Sequence, residues 1–122
     1  MPDTNDSRDR FHRGIELFNR GEFFEAHEEM EEAMNLLDGD ESDWEFYLGV
    51  LRAAVAYHKL ADGVIDSATV HLRAALKFLA PYPDRHQGVK LREFRNALTV
   101  QLDRLLAPSD QVPPAPHIEF AA

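Results

Sequence analysis

Two histidines and a glutamate are the residues of this chain best able to do chemistry. His27 falls inside an apolar helical stripe, between Phe23 and Met34. Glu31 follows four residues later, where a helix sets two side chains beside each other. His58 lies on a later, largely apolar helix, next to Tyr57. The two imidazoles are expected to point into a core shared by the second and third helices. A buried polar group left unpaired costs about 1–3 kcal/mol, so each needs a partner. Three uses fit these residue types. The first is a structural network in which Glu31 and Tyr57 satisfy the imidazoles. The second is a divalent metal site of His27, Glu31 and His58, since two imidazoles and a carboxylate are an established ligand set. The third is acid–base chemistry by a histidine tuned by its carboxylate neighbour. Glu28 is expected to accept hydrogen bonds near the contact between the second and third helices. No cofactor is required by the first use; the second requires a divalent metal.

Other chemistries find less support. The segment His27-Glu28-Glu29-Met30-Glu31 has glutamate where a His-Glu-x-x-His zinc helix has its second histidine. The Glu-x-x-His pair of di-iron bundles and a glycine-rich phosphate loop are both missing. No serine sits in a nucleophile elbow. His71 reads as half-exposed near Ser67, and His12, His86 and His117 as surface or loop residues. The glutamates from Glu28 to Glu32 read as a solvated helix face.

Helices must position these residues. Phe11, Ile15 and Phe18 recur on one helical face, with Asn5, Asp6 and Ser7 as candidate N-caps and Gly21 as the stop. A second helix over residues 22–37 turns Phe23, Ala26, Met30, Met34 and Leu37 inward. Residues 38–42 break the pattern. A third helix over 43–61 is apolar on most sides, so it is placed at the centre. A fourth over 65–80 buries Ile65, Ala68, Leu72, Ala75, Leu76 and Leu79, and stops at Pro81. A fifth over 89–106 buries Leu91, Phe94, Leu98, Leu102 and Leu105. Beyond Pro108 the chain reads as an extended tail in which Ile118 and Phe120 could dock back on the helices. The organisation is a flexible N-terminus (1–6), one helical domain (7–106) and a proline-rich tail (107–122).

The middle of the chain repeats. Gly21, Ala26, Met30 and Ala33 recur as Gly63, Ala68, Leu72 and Ala75, 42 residues on. The fold class is therefore all-α. It is a compact bundle of about five helices built around two helix–turn–helix hairpins with tetratricopeptide-like spacing, although the tetratricopeptide period is about 34.

Composition narrows the function classes. There are 22 acidic against 13 basic residues, a net charge of −9, and only Lys59, Lys77 and Lys90 among the basic residues are lysines. Such a surface repels phosphate backbones, so no nucleic-acid partner is expected. Acidity with few lysines suggests a halophile's solubility strategy. No apolar run approaches the roughly 18–20 residues of a membrane span, and no signal peptide is read, so no membrane partner and a cytoplasmic location are expected. Without cysteine there are no disulfides or thiolate sites. Phe24, apolar beside Glu31, suggests a dimer contact or a wider core.

The residues also resemble a known family. The run from Phe18-Asn19-Arg20-Gly21-Glu22-Phe23-Phe24-Glu25-Ala26-His27-Glu28 through Glu31, then Gly49, Ala53 and Ala56-Tyr57-His58, then Gly63 and Ala68, is similar to the family called domain of unknown function 309. The resemblance implies an all-helical fold of unassigned function, with His27, Glu28, Glu31 and His58 as its characteristic polar positions. Met34 stands where that family has tryptophan, Leu48 and Arg52 where it has glutamines, and Val64 where it has asparagine. The leading reading is a small binding or scaffold module, its partner a protein or small molecule, with Tyr57 joining the His/Glu cluster. The alternative is a metal-dependent, hydrolase-like enzyme using His27, Glu31 and His58.

Overall fold

The chain's helical periodicity is realised as five helices and one short hairpin among the residues described. The structure, a computed structural model, describes residues 4–37, 42–107 and 114–121. The helices are α1 (Thr4–Asn19), α2 (Phe23–Asn35), α3 (Trp44–Ala61), α4 (Ile65–Leu79) and α5 (Leu91–Leu106). Between α4 and α5 lies a hairpin of β1 (Arg85–His86) and β2 (Val89–Lys90). The break expected over residues 38–42 falls, except for Ser42, outside the described residues. So do residues 1–3 of the expected flexible N-terminus, and α1 is already helical at Thr4.

Packing follows the two-hairpin expectation. α1 lies against α2, α3 against α4, and α2 against α3, with α5 covering α4. The repeat is carried down to individual hydrogen bonds. Gly21 and Gly63 adopt φ of +81° and +78°, the left-handed conformation that glycine takes without steric cost. Gly21 N–H donates to Phe18 O and Glu22 N–H to Leu17 O; 42 residues on, Gly63 N–H donates to Leu60 O and Val64 N–H to Lys59 O. Both are Schellman endings, which satisfy the last helical carbonyls and reverse the chain. Ala26, Met30 and Ala33 on α2 and their counterparts Ala68, Leu72 and Ala75 on α4 are all fully buried. A polar contact repeats as well. Arg10 pairs with Glu29 at 3.2 Å, and at the equivalent positions Arg52 donates to His71 Nδ1 at 3.0 Å.

α3 is central, as its all-round apolarity predicts: Phe46, Tyr47, Val50, Ala53, Ala54, Ala56 and Tyr57 are buried. Phe11 stacks on Tyr47 with ring centroids 4.1 Å apart, and Phe18 meets Tyr57 and Phe94 edge-on. Each such buried aromatic contributes about 1.5–3 kcal/mol of apolar transfer. Three expectations are corrected. Ile65, at the first turn of α4, is exposed, because the helix has only just reached the core there. Ser7 is not a cap: it lies inside α1, buried, and donates to Ala33 O of α2 at 2.7 Å. The hairpin β1–β2 stands where continuous loop and helix were expected, its two turn residues Gln87 and Gly88 both at positive φ. No helix of the described residues is long and apolar enough to cross a membrane.

Candidate functional site

The histidines of the expected cluster come together differently from the expectation. His27 is on the rim of the α2 stripe with its side chain 26% exposed, and His58 on α3 is 39% exposed. Neither points into the core. Both rings lie against the ring of Phe24, with centroids 5.4 Å away for His27 and 5.7 Å for His58. Each imidazole has its own carboxylate one helical turn ahead. His27 Nε2 lies 3.5 Å from Glu31, and His58 Nε2 lies 3.7 Å from Asp62. His27 Nδ1 is 3.0 Å from Phe24 O and donates to it, leaving Nε2 to face Glu31. The expected His27–Glu31 pairing is present, whereas the partner of His58 is Asp62. Among the described residues no three His, Asp or Glu side chains gather as a metal would require. His27 and His58 instead each pair with the carboxylate four residues on, Glu31 and Asp62.

Two further members fall elsewhere. Tyr57 is buried against Phe18 and Phe23, and its hydroxyl has no hydrogen-bond partner among the described residues. It satisfies neither histidine, and burial pushes its pKa far above the ordinary tyrosine value. Glu28 is exposed on the outer face of α2, so the expected buried acceptor role fails. One helical turn from Phe24, it joins Glu25 and Glu31 as exposed carboxylates on that helix.

A second polar cluster is one that sequence reasoning missed. Asp43, just ahead of α3, turns its carboxylate away from its own helix. Oδ1 lies 2.6 Å from His86 Nε2, and Oδ2 accepts from Gln87 Nε2 at 2.6 Å. Gln87 also bonds the Tyr47 hydroxyl, and its backbone carbonyl accepts from His12 Nε2 at 3.2 Å. The His86 ring stands edge-on to Phe46 at 4.7 Å. His12 and His86, expected as surface or loop residues, are half-buried here; His117 is exposed. Burial lowers the His12 pKa below its ordinary 6.5, with Gln87 O opposing. Burial raises the Tyr47 pKa, with hydrogen bonds from Gln87 and Ser7 opposing. Gln87 holds φ +48°, a conformation costly for a residue with a Cβ, and its side-chain bonds are what hold it there. The available signal was Gln87-Gly88, a turn pair flanked by residues able to extend. Chemically this cluster is a clamp: every polar group described in it is spent on another element of the fold.

The fold and both clusters define a mainly helical protein of two repeated helical hairpins, with a half-exposed aromatic beside two imidazoles on its surface. Residues 11–70 of the chain match the family described as domain of unknown function (DUF309). That stretch includes His27, Glu28, Glu31, Asp43, Tyr57 and His58. An uncharacterized protein of Aquifex aeolicus (strain VF5) is 36% identical over 78 residues, which is 64% of this chain. The match spans 23% of that relative, so the chain corresponds to about a quarter of its length. Neither name assigns an activity.

Proposed function

We propose that the protein is a binding module and that its recognition face is the Phe24 cluster, taking a basic segment of a partner protein. One observation carries the reading: the Phe24 ring is 48% exposed and packs against two imidazoles, each beside its own carboxylate. Single exposed apolar residues are ordinary. A ring packed against two neighbouring side chains is different, because less of its freedom is left to lose on binding. Charge supports the choice of partner. α2 carries Glu25, Glu28, Glu29, Glu31 and Glu32 and no lysine or arginine, within a chain of net charge −9. Glu29 is engaged by Arg10 and Arg13, while Glu25, Glu28 and Glu31 are exposed on the same helix as Phe24. An arginine or lysine laid on that ring gains a cation–π contact, and the carboxylates steer it there.

The test is amide chemical-shift mapping with a synthetic peptide of alternating arginine and alanine. Shifts clustered at Phe24, His27, Glu28 and His58 support the reading. Shifts spread evenly over the acidic surface, or none, overturn it.

A further inference from the structure

Asn19 closes α1, and its side-chain amide hydrogen-bonds both backbone groups of one distant residue. Nδ2 donates to Ile118 O at 3.0 Å, and Oδ1 accepts from Ile118 N–H at 2.7 Å. The Ile118 side chain is 1% exposed. Next to it, Lys90 N–H donates to Glu119 O at 2.8 Å and Ala121 N–H to Gly88 O at 2.6 Å. These bonds form an antiparallel bridge between Val89 and Phe120 on the free edge of β2. The Phe120 ring meets His12 edge-on at 5.0 Å.

These are the parts by which a fold holds an extended peptide: a sheet edge for its backbone and a pocket for alternate side chains. The Asn19 amide adds a third part, since it reads only the backbone of whatever residue lies there. We infer that Asn19, His12 and the edge of β2 form a docking site for an extended segment of aliphatic–any–aromatic pattern. The chain's own Ile118-Glu119-Phe120 fills it in cis. Asn19 and His12 lie within the family-matched stretch, and the occupying segment lies outside it. The β2 edge that receives the backbone lies outside that stretch as well. This site is separate from the Phe24 face and does not depend on it.

The experiment uses the full chain and a fluorescent peptide with the sequence of residues 114–121. Wild type, its site filled, binds the peptide weakly. Ile118→Asp expels the cis segment and binds it at least tenfold more tightly, and adding Asn19→Ala removes that gain. Ala121→Pro, which deletes the N–H bonded to Gly88 and leaves Ile118 in place, displaces the segment more gently and gives a smaller gain in the same direction. A folded Ile118→Asp or Ala121→Pro chain that binds no better than wild type overturns the inference. So does a gain that survives Asn19→Ala, or equal binding of a scrambled peptide.

Discussion

Asp43 and His86 lie 43 residues apart in sequence and 2.6 Å apart in space, joining the start of α3 to the hairpin that precedes α5. The same carboxylate takes Gln87, and Gln87 in turn takes Tyr47 and His12. One side chain thus ties the start of α3 to the hairpin, and α1 joins through His12. Removing it takes the acceptor from two half-buried donors at once, His86 Nε2 and Gln87 Nε2. Asp43→Ala is expected to cost about 1–3 kcal/mol in urea unfolding. A double-mutant cycle with His86→Ala should show coupling of about 0.5 kcal/mol or more. Additive losses would mean that the two groups do not act on each other.

Tyr57 gives the opposite expectation. Its hydroxyl is buried with no partner among the described residues, so folding strips it of water and returns no hydrogen bond there. Tyr57→Phe keeps the ring contacts with Phe18 and Phe23 and deletes only the oxygen. Stability should stay level or rise by up to about 1 kcal/mol. A loss of more than about 1 kcal/mol would show that the hydroxyl is bonded in solution.

Gly49 marks the closest approach of α3 to α4. A Cβ there would lie 2.7 Å from two atoms of Leu79 and 3.3 Å from Phe78 Cβ. Leu79 is fully buried and has little room to yield. Gly49→Ala should cost about 1–3 kcal/mol through overpacking, even though alanine is the better helix former. A stabilised variant would mean that the α3–α4 spacing is looser than described.

Two histidines set an acid dependence. Burial lowers His71 and His12 below 6.5, and at His71 the charges of Arg52 and Lys59 lower it further. As pH falls through 6.5 the unfolded chain takes up protons before the folded one does. Their contribution is therefore complete above about 6.5 and is lost as pH falls toward the lower folded values. Protonation at His71 also removes the Nδ1 lone pair that accepts from Arg52. The melting temperature of wild type should drop more between pH 7.5 and 5.5 than that of His71→Gln. Equal drops would show that His71 does not titrate differently in the two states.

The helices were legible because their signal is local. Phe11, Ile15 and Phe18 repeat within one element, and Gly21 and Gly63 mark their own turns. The His27–Glu31 pair was legible for the same reason, four residues on one helix. His58 was misplaced because helical projection gives direction around one axis and says nothing about depth. Its nearest carboxylate, Asp62, lies at the helix end, where periodicity had stopped guiding the reading. The Asp43 cluster was invisible because His12, Asp43, Tyr47, His86 and Gln87 come from four separate elements. The turn that joins them uses Gln-Gly, outside the usual Asn-Gly and Asp-Gly signals. The docking of Ile118 was left open because an apolar pair in a proline-rich tail does not name its receiver, and Asn19 reads in sequence as part of a helix stop.

The central claim is that Phe24, packed against His27 and His58, is a recognition face for a basic segment. Its most direct test is the affinity of the arginine–alanine peptide for wild type, Phe24→Ala and Val100→Ala. Neither substitution changes charge, and Val100 is an equally exposed apolar residue on α5. Loss of the cation–π contact should weaken binding to Phe24→Ala by at least about threefold. Val100→Ala should bind as wild type does. Equal affinity for all three chains would contradict the account.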